Sequence, residues 1–97
     1  MSIEEIKAEL TNQAQSIEPL GSTFKFVIDE KAIFIDGTGA ENVVHGEDKD
    51  AECVVITSRE TMILLKSGEL NPMMAVMSGK ITIKGSMGLA MKLQSLL

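Results

Sequence analysis

Hydrophobic residues near the amino end recur every three or four positions. The stripe consists of Ile3, Ile6, Leu10 and Ala14. This spacing places the four side chains on one face of a helix, and we predict an amphipathic helix over residues 2–17. Ser2 lies three residues before Glu5, which is the spacing of a capping box at the start of such a helix.

Two strand-like segments follow, and the first alternates between polar and apolar positions as half-buried strands do. In TFKFVID (residues 23–29) the alternation places three side chains on one face: Phe24, Phe26 and Ile28. In AIFID (residues 32–36), Ile33 and Ile35 share a face and Phe34 lies on the other. Because only a short polar link separates the two segments, we predict a β-hairpin.

Three later segments also predict strands. They are a weaker strand in ENVVHG (residues 41–46), CVVIT (residues 53–57), and KITIK (residues 80–84) with Ile81 and Ile83 facing inward. A helix follows the fourth strand. Thr57 and Glu60 have capping-box spacing at its start, Met62 and Leu65 face inward, and it ends near Gly68.

The remaining segments predict two more helices. Asn71 as cap and Pro72 at the first helical position begin one that ends at Gly79, and Ser86 can cap a last helix over residues 87–97. Strands are grouped along the chain and do not alternate with helices. This order predicts an α+β fold with a mainly antiparallel sheet covered by helices on one face, in a single domain over residues 1–97.

Charge and targeting signals narrow the class of protein. Fourteen acidic and nine basic residues give a net charge of −5, and no basic stripe of the kind that binds nucleic acid is present. An anionic membrane is disfavoured as a standing partner, while transient membrane contact is left open. The first ten residues contain glutamates and no apolar run typical of a signal peptide, so we expect a cytoplasmic protein.

Candidate catalytic and metal-binding residues are few. His45 is the single histidine, in a segment where its side chain is expected to face solvent, and Cys53 begins an apolar strand, where burial is the usual role. Asp48 to Glu52 resembles the start of a calcium loop, but the required glycine and bidentate glutamate are missing. We therefore expect neither an enzyme nor a metal or other cofactor.

The predicted last helix is more apolar than a helix with one buried face requires. Its residues form one stripe of leucines and a second stripe that holds Met87, Met91 and Gln94. Either both stripes pack in the core, or one of them lines a cavity in which methionines contact an apolar ligand and Gln94 contacts its polar head.

The segment SGELNPMMAVMSGKITIKGSMGLAMKLQSLL (residues 67–97) closely resembles the sterol carrier protein 2 family. Weaker similarity extends upstream to Thr23. The resemblance implies a five-stranded sheet, helices on one face, and an apolar tunnel between them. It also implies non-catalytic binding and transport of fatty acids, fatty acyl-CoA or sterol-like lipids, and leaves the natural ligand open.

When the ligand-lining positions of the family are carried over to the matching residues of this chain, the resemblance implies eight residues nearest the ligand: Met73, Met74, Met77, Ile81, Ile83, Met87, Met91 and Gln94. Inward-facing residues of the earlier elements complete the candidate site: Phe24, Phe26, Ile33, Ile35, Met62 and Leu65. The alternative function is a module that forms a homodimer, or docks on a lipid-metabolising enzyme, through its apolar last helix.

Overall fold

A computed structural model describes residues 2–85, 88 and 92. The described elements are α1 (Ile3–Gln15), β1 (Thr23–Ile28), β2 (Lys31–Asp36), β3 (Val43–His45), β4 (Cys53–Thr57), α2 (Arg59–Ser67), α3 (Pro72–Met77) and β5 (Thr82–Gly85). The helix expected over residues 87–97, and its Ser86 cap, fall almost entirely outside the described residues.

Helix α1 begins with the expected capping box. The Ser2 hydroxyl accepts a hydrogen bond from the Glu5 backbone N–H, and the Glu5 carboxylate accepts one from the Ser2 backbone N–H, both at 3.2 Å. These bonds satisfy two donors that a helix start otherwise leaves unpaired. The apolar stripe packs inward, with Ile6, Leu10 and Ala14 buried.

The described strands form one sheet in the order β3-β2-β1-β4-β5. Of its four strand pairs, β1–β2, β2–β3 and β4–β5 are antiparallel, and only β1–β4 is parallel. The mainly antiparallel sheet is therefore confirmed. The β1–β2 hairpin turns at Asp29 and Glu30, which both have positive φ, as a two-residue loop of type I′ requires.

The pairing register divides the sheet into two faces. The inner face, which packs against the three described helices, carries Phe24, Phe26, Ile33, Ile35, Cys53 and Val55. The outer face carries the residues between them, including Lys25, Val27, Phe34, Val54 and Ile56. The inner face joins residues of α1, α2 and α3 in one hydrophobic core.

Two local predictions were wrong. The side chain that caps α2 is Ser58, whose hydroxyl accepts a hydrogen bond from the Thr61 N–H at 3.1 Å. Thr57 ends β4, and its hydroxyl donates to the Lys80 carbonyl at 3.0 Å. His45 does not simply face solvent: it is partly buried, with its ring centroid 6.2 Å from that of Phe34.

The last described strand approaches its neighbour closely. Gly85 has φ +98° and pairs with Cys53, and a Cβ atom at this position would lie 2.2 Å from the Glu52 carbonyl oxygen. Only glycine fits such a contact without a backbone shift. Gly85 therefore fixes how β5 joins the sheet.

Candidate functional site

Four of the candidate ligand contacts lie side by side on the inner face. Phe24 pairs with Ile35 and Phe26 pairs with Ile33 across the β1–β2 hairpin. Each of the four side chains is at most 1% accessible to water. The side-chain faces and the hairpin that the sequence predicts therefore place these four residues together.

Helix α2 and strand β5 add further candidate residues to the same cluster. Met62 and Leu65 of α2 are buried against the inner face, and so is Ile81, which precedes β5. Ile83 is partly buried against this core and pairs with Val55. Seven of the fourteen candidate contacts are thus buried in one apolar cluster, with Ile83 at its margin.

The three candidate methionines of α3 are placed differently. Met73, Met74 and Met77 are 50%, 57% and 78% exposed, respectively. Helix α3 packs on the core through Ala75, which is buried, and Val76, which is partly buried. Contact between these methionines and a ligand stays a prediction.

The last three candidate residues, Met87, Met91 and Gln94, lie outside the described residues. Within the segment to which they belong, the described Lys92 donates a hydrogen bond from its Nζ to the Leu20 carbonyl at 2.7 Å. Leu20 follows α1 and is itself buried in the core. Sequence patterns did not predict this link, because a bond to a backbone carbonyl leaves no mark in the residue types.

The buried part of the candidate site is closely packed. Side chains such as Phe24, Phe26 and Met62 expose almost no surface to water, so protein atoms surround them on all sides. A ligand next to them must displace protein atoms that now contact them. A surface depression of about 670 Å³, lined by Ser2, Asp29, Ser58, Arg59, Glu60 and Ile63, includes none of the candidate residues.

The candidate catalytic residues do not meet. Cys53 lies on the inner face beside Phe24, whereas His45 pairs with Phe34 in a row of the outer face. Burial raises the pKa of the Cys53 thiol, which disfavours the thiolate that a nucleophile needs. Residues 2–85, 88 and 92 contain no group of three or more His, Cys, Asp or Glu side chains placed to hold a metal ion.

Comparison with known proteins decides the family. A family model described as the SCP-2 sterol transfer family matches residues 3–97. The chain belongs to this family. Rat (Rattus norvegicus) sterol carrier protein 2 is 38% identical over 78 residues, which cover 80% of this chain and 13% of the rat protein. This member of the SCP-2 family therefore spans only a small part of that relative.

Solved structures have the same fold. The crystal structure of sterol carrier protein 2 like 2 from Aedes aegypti superimposes with a TM-score of 0.81 at 19% identity, covering 98% of this chain and 95% of that one. The solution structure of Aedes aegypti sterol carrier protein 2 in complex with palmitate gives a TM-score of 0.72 at 23% identity, covering 97% and 94%. The SCP-2 fold predicted from residues 67–97 is thus confirmed for the chain.

Proposed function

We propose that this chain binds a long-chain lipid between the inner face of the sheet and the helices, and carries it without covalent chemistry. The ligand class is a fatty acid, a fatty acyl-CoA or a sterol-like molecule. The main support is that the family match covers residues 3–97 and that seven candidate contacts from β1, β2, α2 and the residue preceding β5 fall in one apolar cluster. Residues 1–97 then act as one lipid-binding domain, and the cytoplasm is the proposed place of action.

Burial of the acyl chain supplies the binding free energy. Each methylene group moved from water into an apolar site contributes about 0.8 kcal/mol, so a long acyl chain reaches about micromolar affinity after association costs. Gln94 is the proposed contact of the polar head. The tunnel implied by the family is part of the proposal, with the inner face as one wall and Met87 and Met91 on another.

Close packing of the buried residues implies that the site opens as the ligand enters. Met62 is the buried candidate whose side chain adapts most easily, since an unbranched thioether has several accessible rotamers. Leu65 lies on the same helix, three residues later. We therefore propose that repacking around α2 makes room for the acyl chain.

Neighbouring positions on β5 provide a matched test. Ile83 is partly buried against the core, whereas Thr82 is exposed and belongs to the next row, on the outer face. The chain contains no tryptophan, so an introduced indole is the sole source of its fluorescence. Ile83→Trp and Thr82→Trp are titrated with a fatty acid that carries a nitrobenzoxadiazole quencher on its acyl chain.

We expect the indole of Ile83→Trp to be quenched at about one ligand per chain, and that of Thr82→Trp to be quenched much less. We also expect Ile83→Trp to weaken binding about tenfold, equivalent to about 1.4 kcal/mol, because the indole occupies ligand space. Circular dichroism controls for folding. Equal quenching in the two folded variants, or no saturable binding by the unsubstituted chain, would contradict the proposal.

The alternative is a docking module, which the apolar composition of residues 87–97 continues to support. The two functions differ in oligomeric state and in ligand uptake. Size-exclusion chromatography with light scattering measures the first, and native mass spectrometry with added palmitate measures the second. A tight dimer that Leu96→Ser with Leu97→Ser converts to monomers, without palmitate uptake, would favour the docking module.

A further inference from the structure

The sulfur atoms of the described residues belong to two groups. Met62 and Cys53 are buried in the core, at 1% and 0% exposure, whereas Met73, Met74 and Met77 of α3 are each at least 50% exposed. Burial also raises the pKa of the Cys53 thiol, which keeps it in its less reactive protonated form. An oxidant dissolved in water therefore meets the thioethers of α3 before it meets the sulfur of the core.

The three exposed methionines lie on one side of α3. Successive helical residues are separated by about 100°, so Met73, Met74 and Met77 fall within an arc of about 100°. We call these three residues the Met face. Ala75 is buried and Val76 is partly buried on the remaining side of the helix, where both pack against the core. A chemical change to the three thioethers thus takes place on the side of α3 that faces water.

Helix α3 is held in place by groups other than these thioethers. At its start, the Asn71 side-chain oxygen accepts a hydrogen bond from the Met73 backbone N–H at 2.8 Å. After its end, the Ala75 carbonyl accepts hydrogen bonds from the backbone N–H groups of Lys80 at 2.9 Å and Ile81 at 3.2 Å. Modification of the methionine sulfur atoms leaves these bonds and the burial of Ala75 unchanged. The fold therefore tolerates a polar group on each of the three side chains.

We propose that the Met face is a site of reversible oxidation by hydrogen peroxide. The thioether sulfur attacks one peroxide oxygen, so that a sulfur–oxygen bond forms and the oxygen–oxygen bond breaks. The proton of the transferred oxygen moves to the departing oxygen, which leaves as water. The sulfur loses two electrons and the peroxide gains them. The product is methionine sulfoxide, which is polar, so oxidation converts an apolar patch of the surface into a polar one.

Reduction restores the apolar patch. Methionine sulfoxide reductases, one for each sulfoxide epimer, remove the oxygen as water while a dithiol supplies two protons and two electrons and becomes a disulfide. Such an enzyme must reach the sulfur atom, which the exposure of the Met face permits. Oxidation of Met62, by contrast, requires the core to open first. The inference goes beyond the proposed function, because the oxidation requires no lipid in the protein.

Trypsin separates the two groups of methionines for measurement. Cleavage after lysine and arginine gives one peptide over residues 60–66, which contains Met62, and another over residues 67–80, which contains the Met face. The full, folded chain is treated with hydrogen peroxide and then digested, and mass spectrometry measures the oxygen gained by each peptide. We expect each methionine of the Met face to be oxidised at least about tenfold faster than Met62.

The unfolded chain is the matched control. In concentrated urea every thioether is exposed, so we expect Met62 and the Met face to be oxidised at rates that agree within about twofold. A rate ratio in the folded chain that is no larger than the ratio in urea would overturn the proposal. Circular dichroism of the folded chain is expected to be unchanged by peroxide. Loss of the helical signal as residues 67–80 are oxidised would also overturn it.

A triple variant tests the change in surface polarity. Met73→Leu with Met74→Leu and Met77→Leu keeps the patch apolar and removes its sulfur atoms. We expect peroxide to shorten the retention of the unsubstituted chain in hydrophobic-interaction chromatography, and to change that of the triple variant much less. The two reductases with dithiothreitol are expected to restore the retention.

An equal change of retention in the triple variant would overturn the proposal. So would sulfoxides in residues 67–80 that both reductases leave in place on the folded chain. Because these measurements contain no fatty acid, a failure here is separate from a failure of ligand binding.

Discussion

The two faces of the sheet use the same strands in different environments. On the inner face, neighbouring residues such as Phe24, Phe26 and Ile35 are sealed from water by helices. On the outer face, Val27 and Val54 are only partly buried, and charged residues are interspersed with them. The comparison teaches that alternation along each strand decides which half of its side chains contributes most to stability.

The outer face also contains a small buried site of its own. Phe34 is 5% exposed although it points away from the helices. His45 lies beside its ring, and the Lys49 ammonium lies 5.8 Å from the ring centroid. Phe34 is therefore buried outside the core cluster, with an imidazole and an ammonium among its neighbours.

The largest difference in stability loss is expected between substitutions at two adjacent residues of β1. Phe26→Ala removes a fully buried ring and is expected to cost about 3–5 kcal/mol of unfolding free energy. Val27→Ala, on the outer face, is expected to cost about 1 kcal/mol. Urea denaturation followed by circular dichroism measures both. Equal losses would show that the two faces are equally well packed.

Substitution of Phe34 is expected to give a loss of stability between those of the two β1 variants. Because its ring is buried outside the core cluster, Phe34→Ala is expected to cost about 2 kcal/mol, which lies between the two values for β1. Lys49→Ala serves as the control for the ring–cation contact and is expected to cost less than about 1 kcal/mol. The same urea titrations apply, and a loss for Phe34→Ala as large as that for Phe26→Ala would erase the distinction.

A smaller effect is expected for the ion pair on the outer face. Lys25 Nζ lies 2.9 Å from the Asp48 carboxylate, whose side chain is largely exposed. Asp48→Asn is therefore expected to cost less than about 1 kcal/mol, and the cost should shrink in high salt. Thermal melting at low and high ionic strength measures this. A large, salt-independent loss would mean that the pair is structurally essential.

The smallest effect concerns the Asp36 carboxylate. Hydrogen bonds from the Thr38 hydroxyl and then the Thr38 backbone N–H lower the pKa of this group. A lowered pKa favours the folded state above the pKa of the unfolded chain, and that contribution is lost as pH falls through the folded pKa. Thr38→Val is expected to raise the pKa of Asp36 in an NMR titration. An unchanged pKa would show that the hydroxyl is not the main cause.

Much of the fold could be predicted because period and capping are local properties. The alternation in residues 23–29 identified β1 and its inner face, and the Ser2–Glu5 spacing identified the start of α1. Neighbouring strands could not be derived this way, because alternation states which face a residue occupies and not which strand lies beside it. The parallel pairing of β1 with β4 joins residues that lie 29 positions apart along the chain, Phe24 with Cys53 and Phe26 with Val55.

The candidate site was predictable to different degrees in its two parts. Buried contacts on β1 followed from the contrast between apolar and polar positions, and those on β2 from the predicted hairpin that pairs it with β1. Helix α3 offered no such contrast, since every residue from Met73 to Met77 is apolar. Small Ala75 and branched Val76 pack inward, so the methionines remain outside.

Short strands at both edges of the described sheet limit its pairing with the sheet of another molecule. Among the described strands, β3 has three residues and β5 has four, whereas β1 and β2 each have six. Few backbone N–H and C=O groups are therefore free to pair with another sheet, and Lys84 places a charge on β5. The edges of the described sheet thus offer little template for fibril growth.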